Sequence, residues 1–128
     1  MIFVFGSNLL GIHGAGAAKF ARFHHGAKIG VGEGITGNSY ALPTKFTPRR
    51  GMPLSEIQKK INTFLKFAKY HPEMNFQVTQ IGCGLGGWHR KDIAPLFLAG
   101  PVQPSSNCYF DKAWKSLLPG IDTYWGTL

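Results

Sequence analysis

Two glycine-rich segments, each placed between a short apolar run and a helical pattern, do most to restrict the fold of this chain. The apolar residues 2–5 lead into the glycine-rich residues 6–16, and residues 76–81 lead into the glycine-rich residues 82–87. A buried strand followed by a turn and a helix is the repeating unit of α/β proteins. A glycine turn at a helix N-terminus also presents backbone N–H groups that bind phosphate. Close helix–sheet packing is the better explanation of either turn taken alone, because a single glycine motif is weak evidence for phosphate binding.

Helical spacing of the apolar residues predicts two long helices, over residues 15–24 and 54–70. Ser55 is expected to cap the second helix, and Gln58, three residues later, completes the pattern of a capping box. Asp92 is expected to cap a third, shorter helix that continues through Leu98. The sequence therefore predicts helices after both glycine-rich segments.

β-Branched and aromatic runs predict two further short strands. The first covers residues 39–42 and is expected to end at Pro43, before a basic loop over residues 44–53. The second covers residues 107–110 and is expected at a sheet edge. Residues 27–38, which four glycines interrupt, predict a hairpin or a covering loop.

The composition fits a single folded domain over residues 1–128. The chain is 44% hydrophobic and has two cysteines, too few for a disulfide framework. No apolar run approaches the ~18 residues of a membrane span. We therefore expect a reduced, cytoplasmic protein with no membrane partner. The spacing of the five histidines fits no common zinc pattern, so no metal is expected. No cofactor is expected either.

Fourteen Lys and Arg against six Asp and Glu give a net charge of +8. This charge favours an anionic partner, such as a nucleotide, a nucleic acid or a phosphate-bearing substrate. Four lysines mostly share one face of the predicted 54–70 helix and are expected to face solvent: Lys59, Lys60, Lys66 and Lys69. Four other cations lie in or beside predicted loops, where contact with a substrate is expected: Arg49, Arg50, Arg90 and Lys91.

The common nucleotide-binding fingerprints are absent from both glycine turns. Neither turn ends in Gly-Lys-Ser or Gly-Lys-Thr, which disfavours a Walker A loop, and neither has the dinucleotide pattern with its later acidic residue. Zinc-finger, RNP and helix-turn-helix signatures are absent as well. Binding of nucleic acid through charge alone remains a third interpretation, ranked last because it leaves both glycine turns unexplained.

Three segments together resemble the macrodomain family, whose members bind ADP-ribose. The first, Gly14-Ala15-Gly16-Ala17-Ala18, is similar to the ribose-side loop at the start of the first macrodomain helix. The second, Leu42-Pro43-Thr44-Lys45, resembles a Phe-Pro-Thr-Lys stretch of bacterial antitoxins that remove ADP-ribose from DNA. The third resembles the diphosphate loop of that same branch and runs Ile81-Gly82-Cys83-Gly84-Leu85-Gly86-Gly87-Trp88. The Phe-Gly-Ser-Asn start is similar to that of small stand-alone macrodomain-like proteins of bacteria and phages.

This resemblance implies a three-layer α/β/α sandwich with a mixed sheet, shortened at its N-terminus relative to other macrodomains. It implies that the two glycine turns hold the diphosphate of ADP-ribose between them. The residues expected to bind the ligand are Gly6, Ser7, Asn8, Gly14, Ala15, Gly16, Ala17, Gly82, Cys83, Gly84, Leu85, Gly86, Gly87 and Trp88.

The resemblance also implies a catalytic lysine, Lys45, that attacks or polarises the anomeric carbon of the distal ribose. An amine nucleophile must first lose its proton, which neighbouring cations favour; the candidates are Lys19, Arg49 and Arg50. Asn8 is the second expected catalytic residue, because its amide can hold ribose hydroxyls or position a water. Without the resemblance, Lys45 is explained as a surface lysine and Asn8 as a loop-capping residue.

Two departures from the family pattern affect the expected contacts with the ligand. Macrodomains usually recognise adenine with an acidic residue near the N-terminus, whereas no Asp or Glu precedes Glu33 in this chain. Trp88, Tyr124 and Trp125 are therefore the candidates to contact adenine. An animal relative that hydrolyses glutamate-linked ADP-ribose has Asp at the position of Gly86, where the DNA-directed antitoxins also have Gly.

The leading hypothesis is an ADP-ribose-binding protein that hydrolyses an ADP-ribosyl linkage on a macromolecule. Its expected partners are ADP-ribose or a related nucleotide, and ADP-ribosylated DNA or protein. The alternative is a non-catalytic binder of ADP-ribose, or of a signal nucleotide derived from it, as in phage counter-defence.

Overall fold

The computed structural model describes residues 1–128 and contains a seven-stranded sheet and four helices. The strands are β1 (Ile2–Asn8), β2 (Gly34–Thr36), β3 (Ser39–Thr47), β4 (Arg50–Gly51), β5 (Phe76–Val78), β6 (Cys108–Asp111) and β7 (Tyr124–Gly126). The helices are α1 (Gly16–His24), α2 (Leu54–Tyr70), α3 (Arg90–Ile93) and α4 (Leu96–Ala99). None of these helices is both long and apolar enough to cross a membrane.

The sheet is mixed and has β1 near its centre. The strand order is β2-β3-β1-β5-β6-β7, and β4 pairs with β3. β2 and β4 are antiparallel to β3, whereas all other neighbours run parallel. The chain leaves β1 for β3 on one side and then returns past β1 to β5 on the other. Ligands of open α/β sheets bind at such a switch point, beyond the carboxyl ends of the strands.

Alternating side chains of the sheet build one core on each face, because successive residues of a strand point to opposite sides. Phe3 and Phe5 point towards α1 and pack with Ala21. Val4 points to the other face and joins the larger core, to which α2 and α4 contribute residues such as Phe64 and Phe97. Helices thus cover both faces of the sheet, and the predicted three-layer α/β/α sandwich is confirmed.

Several strands have different bounds from those expected. β1 continues to Asn8, whereas β5 ends at Val78 rather than at residue 81. β3 does not stop at Pro43 but continues to Thr47 and turns back into β4, so the expected basic loop contains a hairpin. Pro43 lies opposite Ser7, and its missing N–H removes one ladder bond without ending the strand. The register of β1 against β3 shifts directly after that pair.

The C-terminal tail completes the sheet. β7 pairs with β6, and the N–H of Phe110 donates to the carbonyl of Thr123 at 3.0 Å. The strand predicted over residues 107–110 is present as β6, but its expected position at the sheet edge is wrong. Trp114 and Leu118 are buried in the larger core. Within residues 27–38, β2 forms a hairpin with β3, one of the two expected forms of this segment.

The predicted cap of α2 is wrong. The helix begins at Leu54 after Pro53, and no side chain caps it, so Ser55 and Gln58 form no capping box. Gln58 instead donates to the carbonyl of Leu96 at 2.8 Å, which ties α2 to α4.

The first turn of α3 also differs from the expectation. His89 is the N-cap residue, and its side chain accepts from the N–H of Lys91. Asp92 lies three residues later and accepts from the N–H of His89 at 3.1 Å. The helical turn ends at Ile93, and Pro95 precedes a separate turn, α4.

Candidate functional site

One cleft lies at the carboxyl ends of β1, β3 and β5, where the topology places the switch point. It has a volume of about 380 Å³, within the usual range for small-molecule sites. Its walls come from three parts of the chain: the end of β1 with the start of α1, the end of β3, and the turn after β5. Both glycine-rich segments therefore face the same space.

The structure brings most of the predicted site residues to this cleft. Those that line it are Gly6, Ser7, Asn8, Ala15, Gly16, Ala17, Lys45, Gly82, Cys83, Gly84, Leu85 and Gly86. Gly14 lies outside it. Gly87 and Trp88 line a second, neighbouring cleft.

Seven lining residues were not predicted from the sequence. They are Ile12, Ala18, Thr44, Pro48, Thr79, Gln80 and Ile81. Thr79 and Gln80 belong to no motif, and both were expected within a strand that in fact ends at Val78. Ala18, Thr44 and Ile81 lie within the three quoted segments, and that position was the available signal for them.

The start of α1 presents free donors to the cleft. The side chain of Ala15, at the N-cap position, caps nothing. The N–H groups of Gly16, Ala17 and Ala18 therefore have no intrahelical partner, as in the first turn of any α-helix. The positive end of the helix dipole lies at the same point, so this wall attracts negative charge.

The turn after β5 combines tight packing with a free donor. Gly82 has a φ of +73°, and a Cβ there would lie 3.1 Å from Cδ1 of Ile93. A Cβ on Gly6 would lie 3.1 Å from the backbone nitrogen of Gly82, so β1 and the turn approach closely. The N–H of Gly82 nevertheless finds no acceptor on the backbone. Close packing and ligand binding are therefore compatible explanations of this glycine.

Lys45 is the only charged side chain that lines the cleft. Its Nζ donates to the carbonyl of Leu85 at 3.0 Å, which links the end of β3 to the second glycine turn. The side chain of Leu85 is 68% exposed and reaches across to Gly16, where an added Cβ would meet its Cδ1 at 2.9 Å. The two glycine-rich segments thus approach each other at the cleft. Because Lys45 is its one charged side chain, the net charge of the lining is positive.

Asn8 is buried at the cleft, but its amide serves the loop that follows β1. Its Nδ2 donates to the carbonyl of Ile12 at 2.9 Å, and its Oδ1 accepts from the N–H of Ile12 at 3.2 Å. One amide hydrogen of Asn8 remains for a ligand. Ser7 is engaged in a similar way, because its hydroxyl donates to the carbonyl of Gly32.

Neither Cys83 nor His13 is arranged for catalysis. Burial raises the pKa of the Cys83 thiol to about 11, so the neutral form, a weak nucleophile, predominates near neutral pH. His13 is buried away from the cleft and donates from Nε2 to the carbonyl of Val31 at 3.0 Å. No group of three or more His, Cys, Asp or Glu residues is placed to hold a metal ion. The cations expected around Lys45, namely Lys19, Arg49 and Arg50, do not line the cleft.

None of the three aromatic side chains expected to contact adenine lines the main cleft. Trp125 reaches from β7 to β5, where its Nε1 donates to the carbonyl of Val78 at 2.9 Å, next to the lining residue Thr79. Trp88 lines the second cleft, which shares Gly86 with the first. Tyr124 donates its hydroxyl to the carbonyl of Ile121.

Comparison with known proteins identifies no relative. No family model, no curated protein and no solved structure matches this chain. The fold and the site therefore define the class of protein by themselves. It is a mixed α/β protein with a cleft suited to an anionic ligand at the switch point of its sheet.

Proposed function

We propose that this protein binds an ADP-ribosyl group in the cleft and hydrolyses its linkage to a macromolecule. The observation that carries the proposal is the convergence of two glycine turns, an uncapped helix N-terminus and a single lysine on one cleft that no carboxylate lines. A diphosphate matches this set of donors in charge and in its need for close backbone approach. The resemblance to macrodomains supplies the identity of the ligand. Two free cysteines fit a reducing, cytoplasmic setting.

The direction of the ligand follows from the two ends of the cleft. Lys45 lies at the β3 end, whereas Thr79 and Gln80 lie at the β5 end, beside Trp125. In the proposed complex the distal ribose lies at Lys45 and the diphosphate lies between the glycine turns. The adenine then lies towards Trp125, whose indole offers a face for stacking.

Hydrolysis breaks the bond between C1 of the distal ribose and the attached nitrogen or oxygen atom. A water oxygen forms the new bond to C1, and the departing atom takes up a proton. Lys45 acts as a cation that polarises this centre, or as an amine that attacks C1 before water does. For attack, its Nζ must leave the carbonyl of Leu85 and give up a proton. No Asp or Glu is present in the cleft to act as the general base.

Binding without turnover is the second candidate function, and three observations favour it. Both polar ends of the Asn8 amide are engaged by Ile12, and Lys45 is held by a backbone carbonyl. The cleft also lacks a carboxylate. A site with these properties captures ADP-ribose, or a signal nucleotide derived from it, without supplying a base.

Replacing Lys45 by Met separates binding from chemistry, because Met keeps the aliphatic stem and removes the charge. We expect hydrolysis of ADP-ribosylated oligonucleotide and protein to fall at least roughly 100-fold, the usual scale for loss of a catalytic group. Binding of free ADP-ribose, measured by calorimetry, should weaken by less than about tenfold, since the backbone donors remain. Mass spectrometry of the released ADP-ribose measures the chemistry.

Lys66→Met is the matched control, because Lys66 is exposed on α2 and does not line the cleft. A Lys45→Met protein that hydrolyses both substrates as fast as the parent would rule out the lysine mechanism. A parent protein that binds ADP-ribose but releases none from either substrate would establish the non-catalytic function instead.

A further inference from the structure

The β3–β4 hairpin and the second cleft form one continuous surface next to Lys45. Lys45 pairs with Gly51 across the hairpin, and Gly51 lines the second cleft together with Trp88. Gly86 lines both clefts. We call this region, formed by Phe46, Arg49, Arg50, Gly51 and Trp88, the hairpin surface. It begins where the main cleft ends.

The hairpin surface is positively charged and its arginines are free. Arg49 and Arg50 are exposed, and neither forms an ion pair. The guanidinium of Arg50 lies over the ring of Phe46, 4.9 Å from its centroid, which orients it without neutralising it.

The carboxylates of the chain are engaged elsewhere. Three of them form ion pairs with residues outside the hairpin, as Glu33–Lys60, Glu56–Lys59 and Glu73–His71. Asp92, the acidic residue nearest to Trp88 in sequence, accepts from the N–H of His89. Asp111 is fully buried, and Asp122 lies in the C-terminal tail. No carboxylate therefore forms an ion pair with either arginine.

Trp88 adds an aromatic face to this charge. It is half-buried and packs in part against the larger core, which fixes its position. Its remaining surface lines the second cleft with Gly51 and Pro53. Aromatic side chains next to unpaired cations are the combination that binds single-stranded nucleic acid, because bases stack on the rings while phosphates contact the cations.

We propose that the hairpin surface binds single-stranded nucleic acid and leads a modified nucleotide to Lys45. The proposal rests on the proposed function for its direction, since a macromolecule attached to C1 must leave the cleft at the Lys45 end. Arg49 and Arg50 contact the phosphates, and Trp88 stacks on a neighbouring base. An acidic peptide would satisfy the charges but offers no base to Trp88.

The test measures binding of a short, fluorescein-labelled oligothymidine that carries no ADP-ribose, at several salt concentrations. We expect the Arg49→Gln/Arg50→Gln double variant to bind the oligothymidine more weakly. The slope of log K for binding against log salt should become less negative by about 1.4, which corresponds to two phosphate contacts on a single strand. Lys66→Gln/Lys69→Gln removes the same charge from the last turns of α2. That end of the helix leads into the start of β5, at the end of the strands opposite the cleft. The salt slope of this control variant should therefore stay unchanged.

Trp88 is tested through stacking rather than charge. Trp88→Ala should weaken binding of the oligothymidine about tenfold, and Trp88→Phe should restore most of it. Because Trp88 also packs against the core, thermal unfolding of both variants is measured beside binding. Weak binding by a Trp88→Phe protein of normal stability would overturn the stacking role.

Calorimetry with free ADP-ribose separates this inference from the proposed function. If the arginine double variant keeps the parental salt slope, the inference is overturned, whatever the affinity for ADP-ribose. If the parent does not bind ADP-ribose but the slope changes as expected, the proposed function fails and the hairpin surface stands. Polyglutamate that competes as well as unlabelled oligothymidine would overturn the assignment to nucleic acid.

Discussion

Asn8 and Lys45 both reach the cleft, but their polar atoms are engaged in different ways. The resemblance to macrodomains implied that both residues act on the same ribose. The sequence could not predict that Ile12 bonds to both the nitrogen and the oxygen of the Asn8 amide, since that depends on the path of a loop. It also gave no sign that Lys45 donates to the carbonyl of Leu85, which is 40 residues away along the chain.

Cys83 yields a prediction at the same scale. Burial raises the pKa of its thiol to about 11, so its alkylation by iodoacetamide at neutral pH should be slow. The rate should rise about tenfold per pH unit until the pH approaches that value, because only the thiolate reacts. The folded state holds this proton more tightly than the unfolded chain does. The free energy of unfolding should therefore decrease as the pH rises above the ordinary thiol value.

Mass spectrometry of the alkylated peptides provides the measurement. Cys108 serves as an internal comparison, because it is fully buried and should react only on unfolding. A rate for Cys83 that levels off near pH 8.5, as for an ordinary thiol, would contradict the buried environment.

At the scale of elements, the strand–turn–helix units were predictable and many of their ends were not. Short apolar runs identified β1 and β5, and the helical spacing of apolar residues identified α2. The ends depend on neighbours that are distant in sequence. Pro43 does not end β3, because β1 and β4 still pair with the strand around it. The edge position belongs to β7, which comes from the C-terminal tail.

The wrong capping box of α2 provides a test at this scale. Gln58→Ala should lower the free energy of unfolding by about 1–2 kcal/mol, because the partly buried carbonyl of Leu96 loses its donor. Ser55→Ala should change it by less than about 0.5 kcal/mol, because Ser55 is exposed and caps nothing. Urea unfolding measures both. A loss of about 1 kcal/mol for Ser55→Ala, as for a true N-cap, together with none for Gln58→Ala, would contradict the structure.

At the scale of the whole molecule, the order of the strands creates the site. β1 lies between β3 and β5, so the two glycine-rich segments and Lys45 meet at the carboxyl ends of these strands although they are far apart in sequence. The alternation of strands and helices predicted a layered fold, and the resemblance to macrodomains implied three layers. The neighbouring cleft could not be predicted, because Gly51 lies outside the motif that contains Gly86 and Trp88.

The account depends most on the binding of ADP-ribose between the two glycine turns. Gly86 lines the cleft, whereas Gly14 lies outside it, and a Cβ at either position meets no other atom within 4 Å. Gly86→Asp and Gly14→Asp are therefore a matched pair that adds the same charge without a steric clash.

Calorimetry with ADP-ribose on the parent and these two variants, each checked by thermal unfolding, tests the claim most directly. We expect saturable binding by the parent, a loss of at least roughly tenfold for Gly86→Asp through repulsion of the diphosphate, and a change below about threefold for Gly14→Asp. Absence of binding by the parent, or equal affinity of the parent and Gly86→Asp, would contradict the account.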